Sequence, residues 1–305
     1  MAHWRRLGRI YDPASSHPAL VSHAAVPCAE PLSSTTVRVW FAARDAGGRS
    51  HAAAIVVDLA RPHEVPQPPA APALSPGPIG CFDDSGVMPT WFAAMPDGRR
   101  LLYYIGWNLG VTVPFRNSVG VAQVAADGSL RRLFPGPILD RTATEPHFVA
   151  SCCVLPDGER FRLWYLACTG WSDASGRPRH HYHIRCAEGP DGIRWDRRGR
   201  VAIDYADPSE YAISRPSVVR DGELWRMWFS HRGAAYRIGY AESQDGWNWT
   251  RRDASPLGLE PAGTGWESAM VEYPHVFDCA GRRWMLYNGN DYGRSGIGLA
   301  VLEGL

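Results

Sequence analysis

One motif occurs twice without a gap. Residues 182–198 read YHIRCAEGPDGIRWDRR and residues 236–252 read YRIGYAESQDGWNWTRR. Ile184 matches Ile238, Ala187 matches Ala241 and Glu188 matches Glu242. The dipeptide Asp191-Gly192 then matches Asp245-Gly246, and Trp195 matches Trp249. The second copy lies within residues 214–253, which divide into four short β-type runs separated by Asp-Gly or Gly turns. Such a meander has two apolar faces. It cannot bury both alone and needs copies of itself on either side.

The copies extend along the whole chain. An aromatic second run recurs as VRVWFAA (37–43), LLYYIGW (101–107), FRLWYLA (161–167), LWRMWFS (224–230) and RWMLYNG (283–289). Phe41, Tyr104, Tyr165, Phe229 and Tyr287 hold equivalent places, one roughly every sixty residues. The pattern predicts an all-β, five-bladed β-propeller, with four-stranded antiparallel blades around a central funnel. It is expected to form one domain over 1–305, with blades near 19–60, 80–135, 144–200, 210–254 and 266–303. A β-sandwich is the alternative, but it does not predict a repeat carrying the same turn dipeptide and tryptophan. Residues 1–18 are expected to lead into the first blade or to close the ring with the last. Residues 61–78, rich in Pro and Ala, read as an extended linker.

A chain of 305 residues with 45% hydrophobic content has ample material for a core. Its formal charge of +1 gives no reason to expect nucleic acid or an anionic membrane as partner. No apolar run follows the opening MAHWRRLGRI, so neither a signal peptide nor a membrane span is expected. Seven cysteines without paired short spacing read as reduced thiols, which implies a cytoplasmic protein. All 32 basic residues other than histidine are arginine, which excludes Schiff-base chemistry on lysine.

In a propeller, side chains at the starts of the innermost strands converge on the axis. Those positions hold His23, Asp83 and Asp84, Glu145 and His147, Arg215, then Glu272 and His275. A packing-only protein would favour small or apolar residues there. Crowded carboxylates push each other's pKa values apart, so one serves as acid while another stays ionised, as glycosidic cleavage requires. Bland readings stand beside these. The run Asp83-Asp84-Ser85-Gly86 also reads as a turn with Asp capping backbone amides, and Arg215 as the counter-ion of Glu272. The three histidines could meet at a metal ion on the axis, although no local ligand pattern accompanies them. The loop aromatics Trp107, Trp171 and Tyr182 are candidates to stack on a sugar face, and Trp107, Asn108 and Trp171 are candidates to wall the funnel. Glu188 and Glu242 repeat in third strands and read as structural.

The repeated AExxDGxxW, together with the aromatic strand after each turn, resembles the five-bladed propeller glycoside hydrolases. These are the arabinanase and β-xylosidase group and, more distantly, the invertase, levansucrase and mannoside phosphorylase groups. The phrases FDDSGVMP (82–89), YYIGWNLGVTVPFRN (103–117) and YPHVF (273–277) resemble a cytoplasmic branch associated with polysaccharide or secondary-metabolite gene clusters. The resemblance implies three central carboxylates from the first three blades, and in several members an ion near the axis held by a histidine, a role open to His275. The first-blade carboxylate is missing here; His23 and Ala24-Ala25-Val26-Pro27 stand in its place.

The expectation is therefore a glycoside hydrolase-like enzyme for a sugar or glycosylated small molecule, with no cofactor. Asp84 is expected as base or nucleophile, Asp83 as its tuner, Glu145 as acid and Glu272 as a reserve acid/base. Arg215, His23, His147 and His275 are expected to orient substrate. The alternatives are a lyase, isomerase or cyclase using His acid–base chemistry, and a non-catalytic sugar-binding propeller.

Overall fold

A computed structural model describes residues 2–13, 17–64 and 66–304. Of the expected leading segment 1–18 and linker 61–78, positions 1, 14–16 and 65 lie outside that description. Strand β1 (His3–Tyr11) precedes β2 (Ser22–Pro31), β3 (Thr36–Arg44) and β4 (Ser50–Asp58). Next come β5 (Gly86–Ala94), β6 (Arg100–Leu109), β7 (Phe115–Val124) and β8 (Leu130–Arg132). They are followed by β9 (Val149–Asp157), β10 (Arg160–Asp173), β11 (Pro178–Gly189) and β12 (Asp196–Ile203). The chain continues with β13 (Ala212–Asp221), β14 (Leu224–Arg232), β15 (Tyr236–Ser243) and β16 (Thr250–Arg251). It ends with β17 (Glu272–Cys279), β18 (Arg282–Asn288) and β19 (Ile297–Glu303). The remaining regular element is a 3₁₀ turn at Gly265–Glu267. No helix among the described residues is long and apolar enough to cross a membrane.

Within each run, successive strands pair antiparallel. Strand β1 pairs with β19 and so completes the last run rather than the first. The 61–78 segment is more than a spacer, because Leu74 bridges Ala52 and adds an outer edge beside β4. The opening strands β2, β5, β9, β13 and β17 each pack on the next, and β17 packs on β2. The result is an all-β, propeller-type ring of sheets, which leaves only short edges.

Packing accounts for the repeated turn. The hydroxyl of Tyr103 donates to the carbonyl of Gly192 at 2.8 Å, and the Trp164 indole donates to that of Gly246 at 3.1 Å. Each turn glycine is therefore gripped by an aromatic residue of the preceding run. Asp245 Oδ1 accepts from the amides of Trp247 and Asn248, and Asp191 Oδ1 does the same for Ile193 and Arg194. Gly246 has φ 69°, and a Cβ there would stand 2.8 Å from Arg162. The motif thus encodes both a turn and its docking site.

The equivalent aromatics Phe41, Tyr104, Tyr165, Phe229 and Tyr287 are all buried. Each sits where the adjacent innermost strand breaks register. Such bulges bend a strand and re-aim a side chain. Val26, Arg215 and Tyr273 occupy them with φ of 54°, 54° and 55°, each just before a proline. Arg215 consequently points across the hub. Its guanidinium donates to the carbonyls of Thr90 and Pro27, while its own amide donates to Ser151 Oγ at 3.2 Å. It is fully buried and ties β2, β5, β9 and β13 together.

A second repeat exists that linear order conceals. Before four inner strands stands a buried carboxylate that reaches an arginine of the outermost strand in its own run. Asp83 meets Arg132 Nε at 2.8 Å and the Tyr104 hydroxyl at 3.2 Å. Glu145 meets Arg197 and Arg185 at 2.9 Å each and the Tyr165 hydroxyl at 2.7 Å. Glu210 meets Arg251 at 2.6 Å and His231 at 2.7 Å. Glu267 meets Arg6 at 3.1 Å, beside Tyr287. These clips fasten the loop that leads into each inner strand to the outer edge of its own sheet.

Candidate functional site

The inner strands open at one end of the ring into a cavity of about 430 Å³. Val26, Met88, Ser151, Ser214 and Tyr273 rise into it from the five inner strands. Arg44, Trp107, Arg232, His180, Tyr182 and Tyr236 form its wall, and Tyr292 enters from the turn after β18. A side groove of about 330 Å³ holds Asn108, His147 and Trp171. Phe115, Asn117 and Phe148 border both spaces. Concave, aromatic-rich ground with a few polar groups is what a small-ligand site requires, and carbohydrate C–H faces pack well on such rings.

Four tyrosines crowd one wall. The hydroxyls of Tyr182 and Tyr236 are in direct contact, and Tyr236 lies 6.3 Å from Tyr273 and 6.2 Å from Tyr292, ring to ring. Behind them lies Glu272, fully buried. Neither of its oxygens has a hydrogen-bond partner among the described residues. Burial holds its carboxyl well above the usual carboxylate range; Arg232 and Tyr273 pull the other way and do not prevail. Burial therefore favours the protonated form of Glu272, and its charged form would raise all four tyrosines.

Arg232 threads between these rings. Its guanidinium lies 5.2 Å from the ring of Tyr236, 5.4 Å from Tyr211 and 5.8 Å from Tyr292, and Nη1 donates to the Tyr292 hydroxyl at 2.7 Å. His180 stacks on Tyr182 at 4.7 Å and is pushed down to about 4, first by burial and then by Arg232. His23 is likewise pushed down to about 4 by burial, then by Arg44 and Arg294.

The eleven residues expected at the site scatter over distinct environments. Trp107 lines the cavity, with its indole donating to Ser50 Oγ at 2.6 Å. Asn108, His147 and Trp171 line the side groove. Glu272, next to the lining residue Tyr273, lies behind the cavity wall, whereas His23 is not among the lining residues and its Nδ1 meets Ser22 Oγ at 2.9 Å. The rest call for correction. Asp83 and Glu145 face outward into arginine clips instead of inward, because arginines of the outer strands neutralise them there. Asp84 is the capping residue of its turn, accepting from Gly80 N and Ser85 Oγ at 3.0 Å each. Arg215 is no counter-ion of Glu272; backbone carbonyls take its donors at the hub. His275 is wedged against Trp91 and Phe277. Among the described residues no three His, Cys, Asp or Glu side chains converge to hold a metal ion. The seven cysteines are free thiols. Glu188 and Glu242 sit in ion pairs with Arg160 and with Arg226 and Arg252, away from the cavity.

Arg44, Arg232, Tyr236, Tyr273 and Tyr292 were not among the expected site residues. One signal was available. Tyr182 and Tyr236 are the first residues of the two aligned copies, and they are the pair whose hydroxyls touch.

No family model matches the chain. Two Mycobacterium tuberculosis proteins, uncharacterized protein MT1551 of strain CDC 1551 and uncharacterized protein Rv1502 of strain H37Rv, are each 42% identical to it over 300 residues, spanning 98% of this chain and 99% of theirs. Among solved structures, a glycoside hydrolase superposes with TM-score 0.72 at 15% identity, covering 98% of this chain and 91% of its own. A thermostable family-43 glycoside hydrolase superposes with TM-score 0.67 at 13% identity, covering 94% and 91%. The chain belongs to the family of these mycobacterial proteins and carries the propeller-type fold of glycoside hydrolases.

Proposed function

We propose that this protein is an enzyme acting on a sugar or glycosylated small molecule held in the axial cavity of a five-bladed propeller, by glycosidase-like acid–base chemistry. The closed cycle of five inner strands supports the blade count. One observation carries the chemical reading. Glu272 is a buried carboxyl without hydrogen-bond partners of ordinary geometry among the described residues, its pKa raised by burial, set against tyrosines that line the cavity. A carboxyl kept protonated at neutral pH is a proton reservoir. Because it does not itself reach the cavity, its proton passes through a tyrosine hydroxyl. Tyr273, next to it in the chain and in the wall, is the group that meets the departing oxygen.

The two-carboxylate arrangement of most glycosidases has no counterpart within the axial cavity, whose described lining residues include no Asp or Glu, while Asp140 lines the side groove. That observation favours a second reading, in which the same tyrosine–carboxyl unit serves a lyase, isomerase or cyclase. Release of reducing sugar separates the two, because the second reading gives none.

The test is turnover of a glycoside panel by the intact chain and by Glu272→Gln. Loss of about 10²–10⁴-fold in kcat is expected. The wild-type pH profile should also show activity falling as pH rises through the raised pKa of Glu272, a limb that the amide variant lacks. A Glu272→Gln chain with unchanged kcat and an unchanged profile would defeat the proposal.

A further inference from the structure

The wall of the axial cavity contains two guanidinium groups, Arg44 and Arg232, and no carboxylate among its described residues. Several other withdrawn arginines have acidic partners, Arg132 with Asp83, Arg197 with Glu145, and Arg283 with Asp221 and Asp278, while the fully buried Arg215 has backbone carbonyls instead. A guanidinium withdrawn from water without an anion is costly to maintain. Arg232 shows where the missing partner belongs. Three tyrosine rings flank its guanidinium and one donor goes to the Tyr292 hydroxyl, yet its Nε is buried with no acceptor. Aromatic faces stabilise a cation but do not satisfy donors in the guanidinium plane. Glu272, behind the wall, is held toward its neutral form by burial and makes no ion pair with Arg232 among the described contacts. Arg44, from the end of β3, acts on the same Tyr273 that adjoins Glu272. His180 in the wall and His23 nearby respond to this field, lowered by burial and then by neighbouring arginines.

We infer that the substrate is an acidic sugar, whose carboxylate or phosphoryl group is bound by Arg232 with Arg44 as the second charge, while its ring packs on the tyrosines. The inference rests on the cavity being the sugar site. It assigns a substrate class, since both anions offer paired oxygens that match a guanidinium fork.

The test is calorimetric binding to the full chain of a panel of hexoses, each in neutral, uronic acid and 1-phosphate form, with inorganic phosphate alongside. Acidic members are expected to bind at least tenfold more tightly than their neutral parents. Arg232→Gln and Arg44→Gln should each remove most of that preference while the melting temperature holds. Should either variant fail to fold, the wild-type chain still decides the matter: its preference must shrink between low and high salt. Preference for uronates alone identifies a carboxylate, and for sugar phosphates alone a phosphoryl. Neutral sugars binding as tightly as acidic ones, no acidic member binding, inorganic phosphate binding as well as any sugar, or an Arg232→Gln chain that keeps the preference would each overturn the inference. Turnover plays no part in this measurement, so its failure is distinguishable from a failure of the Glu272 test.

Discussion

Glu272 and Glu145 show how little residue type says about role. Both are buried glutamates near the start of an inner strand. Glu145 meets two guanidinium groups and a hydroxyl; Glu272 has no ion pair and no hydrogen bond of ordinary geometry among the described residues, only the nearby Tyr273. Their replacements should therefore separate. In the folded chain Glu272 binds its proton more tightly than in the unfolded one, where its ordinary value is 4.5. Stability is then fully present below that value and declines as pH rises above it. The wild-type melting temperature is expected to fall across that range more steeply than that of Glu272→Gln, and parallel curves would contradict this. Glu145→Ala, by contrast, strands Arg185 and Arg197 and should cost about 3–5 kcal/mol in denaturant unfolding. Asp84→Ala removes one turn cap and should cost only about 1 kcal/mol.

At the scale of elements, the carboxylate clip is the recurring device. It fastens inner to outer strand in four runs, and Glu210 shows its pH signature. Burial alone would raise Glu210, but hydrogen bonds from His231 and Arg251 outweigh it and hold the group at about 2. Stability from this clip is present above the ordinary carboxylate value and is lost as pH falls toward 2. Glu210→Gln should flatten the acid limb of the unfolding curve; an unaltered limb would remove the clip's assigned role. The Asp-Gly turn is the other device. Gly246→Ala forces a Cβ into positive φ against Arg162, and a loss of about 1–2 kcal/mol is expected in the same assay. The turn was readable in advance because its residues are contiguous. The clip was not, because Asp83 and Arg132 stand 49 positions apart and only the sheet brings them together.

For the molecule as a whole, ring closure depends on the hub. Arg215 joins four inner strands through backbone groups, so Arg215→Ala would leave the carbonyls of Thr90 and Pro27 without donors inside the ring. A cooperative loss of about 3 kcal/mol or more is expected, seen alike by tryptophan fluorescence and by circular dichroism. Unfolding confined to one probe would mean that the hub does not couple the sheets. Closure by β1 on β19 adds the remaining constraint, since it fastens the first strand to the last run.

The periodic aromatic strands and the repeated turn determined the all-β, propeller-type architecture by themselves. Each is a local pattern with an apolar face that only a neighbouring copy can cover. Even the tyrosine pair of the cavity was present in the alignment of the two copies. Tertiary structure alone decided which acidic groups are neutralised by arginine and which is buried without an ion pair beside the cavity. Charge interactions depend on distance through space and on the surrounding dielectric, and neither quantity is carried by the order of residues along a chain.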